Sequence, residues 1–298
     1  MLPNFICPGA MKSGTTTLYR LLKQHPDIYL PRKEIRFFAS ENWHKGFDWY
    51  QSLFENYGGQ KITGEITPQY MYYPEAVKHI HELLGPDIKF VFLLRNPVKR
   101  AYSDYRMHQR VGLYARPFEE FIAGDAPLPK DLDFLNKGLY AQQIERFLSY
   151  YPIENMKFVI FEEFIGNQEQ ALKEIFDFLG VDRDVPIQYE LHENPDFVYK
   201  HPHVRKMQLR LANFIQKYVI RTLYRDKDTR IRKYSTLWRN LVRANARSDK
   251  EAPKPAPGLL EKLSAYYRDD IEALSSIIGR DLAVWGQSDI SQIEGINK

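Results

Sequence analysis

At 298 residues, with 44% apolar and 14% aromatic side chains, the chain can bury a large core, which excludes a disordered segment. No run approaches about eighteen apolar residues, so no membrane-spanning helix is expected, and the single cysteine, Cys7, excludes an internal disulfide. The net charge of +4 hides an asymmetry, because residues 200–250 hold 15 Lys/Arg against 3 Asp and leave the remainder acidic. Such a block suits an anionic ligand or surface, or simply a solvated helical face. The N-terminus lacks a basic stretch leading into an apolar run, so a cytoplasmic protein is expected.

In chain order, residues 4–10 read as a buried strand and 15–24 as the helix after it. "IKFVFLLR" (88–95) is a second strand; Asn96-Pro97 punctuates its end, and Val98 opens a helix. "MKFVIFEEF" (156–164) is a third strand, followed by an amphipathic helix that Gly180 stops. Strands alternating with helices predict an α/β fold, a P-loop-type central parallel sheet flanked by helices. Beyond 190 the pattern changes to a basic helix over 205–223, a weakly patterned basic stretch over 224–248 and a Pro-rich connector, "EAPKPAPG" (251–258). A last helix over 259–278 ends at Gly279 and makes the C-terminal portion helical. The organisation expected is one domain, 1–298, with a nucleotide-binding core over 2–180, the basic segment 190–258 and a C-terminal helical segment 259–286.

Chemistry concentrates at two strand ends. "GAMKSGTTTL" (9–18) follows the first strand and is built as an anion cradle, with backbone amides at a Gly turn and at a helix start. Lys12 adds a full positive charge, and Ser13, Thr15, Thr16 and Thr17 add hydroxyls. The lysine precedes Gly14, whereas the triphosphatase loop G-x-x-x-x-G-K-[ST] places it after the glycine. An ordinary Gly turn capped by threonine would look similar. Arg95 closes the second strand and Ser103 follows eight residues later, a pair suited to a second phosphate, or else an arginine paired with a carboxylate beside a solvated serine. In open α/β sheets both loops fall where ligands bind, outside the carboxyl ends of the strands.

The loop "PGAMKSGTTTL", then "KEIRFF", then "LLRNPVKRAYSDY", resembles the sulfotransferases that use 3′-phosphoadenosine 5′-phosphosulfate (PAPS). The likeness is to the glycan branch, particularly the heparan sulfate N-sulfotransferases. It is carried also by "HKGFDWY" (44–50), "GLYAQQIERFLSYY" (138–151) and "YYRDDIEALSSIIGRDLAVW" (266–285), and it spans roughly residues 3–180 and 259–286 in collinear order. The resemblance implies PAPS as donor, adenosine 3′,5′-bisphosphate as product, and no metal. Lys12 would neutralise charge growing on the oxygen that bridges sulfur and phosphorus. Ser13, Gly14, Thr15, Thr16 and Thr17 would hold the 5′-phosphosulfate, and Arg95 with Ser103 the 3′-phosphate. Glu34, in "KEIRFF", matches the family's catalytic glutamate and would take the acceptor's proton. The cations Lys33 and Arg36 beside it should keep it ionised; on the residues alone it would be a surface Glu in an ion pair.

Departures from the family pattern matter as much. In "GEITPQY" (64–70) the place of a family lysine is held by Ile66, so a basic partner is missing or comes from Lys33, Arg36 or Lys61. Glu65 is either a second carboxylate of the site or structural. His108 falls one residue beyond the N-sulfotransferase histidine. The family's C-terminal basic loop and its cysteine pair have no match in 190–258. The acceptor implied is a hydroxyl or amine on a glycan, a lipid-linked or carrier-bound intermediate or a small molecule, and nucleic acid is not an expected partner. Two other readings are a P-loop kinase using Mg-ATP and a non-catalytic polyanion-binding protein.

Overall fold

Residues Phe5–Gly9 form strand β1, buried along its whole length, and Thr15–Leu22 form helix α1. The chain continues through β2 (Ile28–Tyr29), α2 (Phe47–Ser52), β3 (Ile62–Ile66), α3 (Pro74–Leu84), β4 (Lys89–Leu94), α4 (Pro97–Arg110) and α5 (Tyr140–Leu148). Then come β5 (Met156–Ile160), α6 (Phe161–Gly166), α7 (Gln168–Leu179), β6 (Phe197–Tyr199), β7 (Ala246–Ser248), α8 (Pro257–Ile278) and α9 (Ala283–Gly286). The computed structural model describes residues 1–39, 42–110, 118–119, 133–189, 197–199, 204, 207, 246–248 and 257–286. The chain divides into two compact units, Met1–Tyr102 with Leu128–His192 and Pro257–Lys298, and Ser103–Pro127 with Glu193–Ala256.

The first unit is built on a sheet in the order β2-β3-β1-β4-β5, with every neighbouring pair parallel. Parallel pairing needs crossovers, which the helices supply, and so both faces are covered. Side chains alternate along each strand. One face presents Phe5, Cys7, Val91, Leu93 and Val159 to Leu18 and Leu22 of α1 and to Leu172, Ile175 and Phe176 of α7. The other presents Phe90 and Phe92, whose rings meet Phe147 of α5 edge-on at 5.3 and 5.1 Å. The chain winds to one side of β1 through β3 and to the other through β4. In open α/β sheets, ligands bind outside the carboxyl ends of the strands at such a reversal point.

Three sequence expectations need correction. The strand read over 156–164 stops at Ile160, and Phe161 opens α6. Glu162 and Glu163 in the first turn favour a helix start there, and Phe161 and Phe164 bury one helical face. The strands β2 and β3 carry no apolar run. β2 has two residues, and β3, "ITGEI", contains a glycine and a buried carboxylate. Gly64 is required because a Cβ there would lie 2.3 Å from the Phe5 ring. Third, α8 begins at Pro257, inside the residues read as a connector. It docks on α5, where Asp270 accepts from the Ala141 N–H at 3.1 Å and so serves the α5 N-terminus.

In the second unit, β6 and β7 form an antiparallel ribbon, within a segment read as helix and loop. The basic helix expected over 205–223, except Met207, and most of the connector over 251–258 lie outside the described residues.

Candidate active site

β1 ends at Gly9, which lies against Met71 so closely that a Cβ would come within 2.6 Å of that side chain. The Ala10 N–H carries the β1–β4 pairing one step further by donating to the Leu93 carbonyl at 2.7 Å. The backbone then turns back on itself, with Lys12 at φ 68° and Gly14 at φ 83°. Left-handed geometry is ordinary for glycine and strained for lysine, a cost of the kind concentrated at functional sites. Gly14 precedes α1 and provides no side-chain cap, and the first turn carries no acidic residue. The Ser13 hydroxyl is buried and makes no hydrogen bond. It lies near enough to the Tyr140 phenol to influence it, but that phenol donates to the Arg95 carbonyl at 2.9 Å. A buried hydroxyl without a partner is costly unless a ligand satisfies it. Thr15 is also buried, while Lys12, Thr16 and Thr17 are half-buried.

The loop after β4 meets this turn. Arg95 donates from Nη1 to the Lys12 carbonyl at 3.1 Å, and its guanidinium lies 4.7 Å from the Phe161 ring centre. The same ring packs on Gly14, where a Cβ would come within 2.8 Å of it. Phe161 therefore fixes the spacing of both loops. Asn96 follows, buried, and caps α4 through Oδ1, which accepts from the Val98 and Lys99 N–H groups at 3.0 and 3.1 Å. Its Nδ2 donates to the Trp285 carbonyl at 3.1 Å, which brings the end of the "LAVW" motif to the start of α4. Ser103 lies on α4, half-buried, in the second unit.

Glu34 reaches the same sheet edge from the segment after β2. Its N–H donates to the carbonyl of Ile66, the last residue of β3, at 2.9 Å. The carboxylate takes Lys33 Nζ at 2.8 Å and Arg36 Nη2 at 3.1 Å. Gln69, oriented with its amide oxygen toward Arg36, accepts from Nη2 at 2.8 Å and Nε at 3.1 Å and buttresses the guanidinium. Glu34 and Arg36 also have positive φ, 60° and 55°. Burial works to raise the Glu34 pKa, but the hydrogen bond and charge of Lys33, with the hydrogen bond of Arg36, outweigh it and hold the carboxyl below its ordinary value.

Ile66 is not a basic side chain, and the structure places the three candidate partners differently. Of the three candidates, Lys33 and Arg36 sit on Glu34, whereas Lys61 lies before the other end of β3 and donates to the Gly180 carbonyl. Ile66 itself is buried in the core. Glu65 is fully buried and accepts from the hydroxyls of Tyr50 at 2.6 Å, Thr67 at 2.7 Å and Tyr70. His108 is buried on α4 with Nδ1 3.0 Å from the Asp104 carbonyl of its own helix. Among the described residues, no group of three or more His, Cys, Asp or Glu side chains could hold a metal ion, and no helix is long and apolar enough to cross a membrane.

Phe161, Tyr140, Asn96 and Gln69 were not legible as site residues. Only Asn96, an N-cap residue before a proline, carried a local signal.

Fold and loops together define an α/β protein of the phosphate-binding-loop class. A family profile described as "Sulfotransferase domain" matches residues 3–239, and the chain belongs to the sulfotransferase family. It is 34% identical over 185 residues to heparan sulfate glucosamine 3-O-sulfotransferase 6 of Homo sapiens, a match covering 61% of this chain and 54% of that protein. It is 32% identical over 198 residues to bifunctional heparan sulfate N-deacetylase/N-sulfotransferase 4 of Mus musculus, covering 60% and 22%. The chain thus spans about half the length of the 3-O-sulfotransferase it matches and less of the bifunctional protein. Among solved structures, a sulfotransferase from Alicyclobacillus acidocaldarius superposes with a TM-score of 0.70 at 26% identity, covering 96% of this chain and all of that one. Membership of this family leaves the kinase alternative without support.

Proposed function

We propose that this chain transfers a sulfuryl group from PAPS to a hydroxyl or amine of a glycan acceptor. The donor, when bound, supplies an activated sulfuryl group. The observation that carries the reading is the convergence of Lys12, Glu34 and Arg95 at the carboxyl ends of the neighbouring strands β1, β3 and β4. The residues fit such a donor, because the Ser13 hydroxyl is buried without a partner and the Gly14 turn presents backbone to an anion.

Lys12, Ser13, Gly14, Thr15, Thr16 and Thr17 would hold the 5′ end, with the Lys12 ammonium neutralising charge on the leaving group. Arg95 and Ser103 keep the 3′-phosphate role by likeness to the family. Glu34 would accept the acceptor's proton at its carboxylate, which its neighbours keep ionised. A glycan acceptor is favoured by the names of the relatives, heparan sulfate sulfotransferases of both the 3-O and the N type.

Calorimetric titration with adenosine 3′,5′-bisphosphate, against ADP and Mg-ATP, tests the donor half. Binding of the bisphosphate that weakens in Lys12→Ala and Arg95→Ala supports the reading, and preference for Mg-ATP overturns it. Transfer of radiolabelled sulfate from PAPS to de-sulfated heparan chains tests the acceptor half.

A further inference from the structure

Glu65 is fully buried near the end of β3, where an apolar residue would cost less, and it is satisfied by three hydroxyls, those of Tyr50, Thr67 and Tyr70. Two of those hydroxyls belong to tyrosines that also hold one further residue. Tyr70, while donating to Glu65, accepts from the N–H of Phe37 at 2.9 Å and of Phe38 at 3.4 Å. The Tyr50 ring stacks on the Phe37 ring, with centroids 4.5 Å apart and planes 14° from parallel. Burial, reinforced by Glu65, pushes both phenols well above their ordinary pKa, so both remain donors. Phe37 follows Arg36, and the carbonyl between Glu34 and Arg36, that of Ile35, accepts from Asn42 Nδ2 at 2.7 Å.

We infer that Glu65 is a positioning residue for the acceptor-side base: by fixing Tyr50 and Tyr70 it holds Phe37, and with it the left-handed backbone that lays Arg36 on Glu34. The chain of contacts runs from carboxylate to phenol, from phenol to the Phe37 N–H, and from there to the strained residues at φ 60° and 55°. Strain of that kind persists only where the surroundings over-determine it. Glu65 touches no reacting atom and acts through the segment "KEIRFF". The functional consequence rests on the reading of Glu34 as the base. The groups facing Glu34 are Lys33, Arg36 and Gln69.

The test is a 13C NMR titration of the Glu34 carboxyl, its resonance assigned by its loss in Glu34→Gln, alongside the pH profile of kcat. In Tyr70→Phe and in the milder Glu65→Gln, the Glu34 titration is expected to move to higher pH as Arg36 loosens. The acid limb of kcat should follow, and kcat should fall roughly ten-fold, while binding of adenosine 3′,5′-bisphosphate stays unchanged. Tyr151→Phe, which loses only a hydrogen bond to the Gly85 carbonyl, controls for general destabilisation and should leave the Glu34 titration in place. An unmoved Glu34 titration in both variants, with nucleotide binding intact, would overturn the inference. Full activity in Glu34→Gln would instead overturn the reading of Glu34 as base, and the NMR titration would still decide whether Glu65 positions it.

Discussion

The Arg95 guanidinium donates to the carbonyl of Lys12 at 3.1 Å, so the two cationic loops of the site are tied to one another through backbone. Lys12 needs this support, because its φ of 68° costs a non-glycine residue about 1–2 kcal/mol. Arg95 consequently has two duties, placing its own charge and holding the turn that carries Lys12. Lys12→Ala should lower kcat by roughly 10²–10³-fold, the scale for losing one transition-state donor, with a smaller loss in bisphosphate affinity. Arg95→Ala should weaken bisphosphate binding and also lower kcat, since the Lys12 turn loosens. Single-turnover kinetics paired with calorimetry separate the two patterns. Arg95→Ala that weakens bisphosphate binding but leaves kcat unchanged would contradict the coupling.

Gly14 gives the sharpest steric prediction. Its φ of 83° and the Phe161 ring, 2.8 Å from the position of a Cβ, leave a methyl group no room. The ring cannot swing away freely, because Arg95 lies over it at 4.7 Å. Gly14→Ala should therefore destabilise the fold by about 2–4 kcal/mol, combining backbone strain with overpacking, and abolish bisphosphate binding. Thermal denaturation and calorimetry read both effects. The double variant with Phe161→Leu should recover part of the stability and little of the binding, because Arg95 then loses its platform.

Glu34 predicts a pH dependence with a definite sign. Its carboxyl is held below the ordinary value, chiefly by Lys33 acting against burial. A depressed carboxyl stabilises the fold above its unfolded pKa, and that contribution is lost as pH falls through the folded value. The side chain is 33% exposed, so solvent screens the pair and the stability effect should be small. Activity is the better readout, with kcat flat through neutrality and an acid limb below the usual glutamate pKa of about 4.3. Arg36→Ala should shift that limb upward. Glu34→Gln should remove the limb and lower kcat by roughly 10²–10⁴-fold.

Much of this site was legible in the chain because its charges sit next to its turns. The Gly9–Leu18 loop, Glu34 between two cations, and Arg95 at a strand end are local patterns, and the fold places all three at one sheet edge. The supporting residues were not legible, for a physical reason: their contacts depend on where the fold brings the chain, not on a spacing the sequence displays. Phe161 meets Gly14 only because β5, paired with β4, ends at the same sheet edge as β1, and read alone "VIFEEF" extends a strand. Glu65 looked ambiguous because its satisfaction comes from Tyr50 and Tyr70, which no spacing rule links to it. The strand holding it was missed for the same reason, since a glycine and a carboxylate break the apolar run that marks a buried strand.

Asn96 joins the start of α4 to the C-terminal motif, and two substitutions separate its duties. As N-cap it satisfies the Val98 and Lys99 N–H groups, and through Nδ2 it binds the Trp285 carbonyl. Asn96→Ala loses the cap, typically ~1 kcal/mol, and leaves a buried carbonyl short of a donor, ~1 kcal/mol more. On the usual scaling for a domain of this size, that lowers Tm by roughly 4–8 °C. Asn96→Asp keeps the acceptor and suits the helix N-terminus, but it aims a carboxylate oxygen at the Trp285 carbonyl. If capping dominates, the aspartate variant should melt close to the native protein. If the tether to Trp285 dominates, it should melt with the alanine variant, and limited proteolysis should then cut first near α9. The short reach between Asn96 and Arg95, one peptide bond, favours the second outcome, and bisphosphate binding should weaken in step with the loss of Tm.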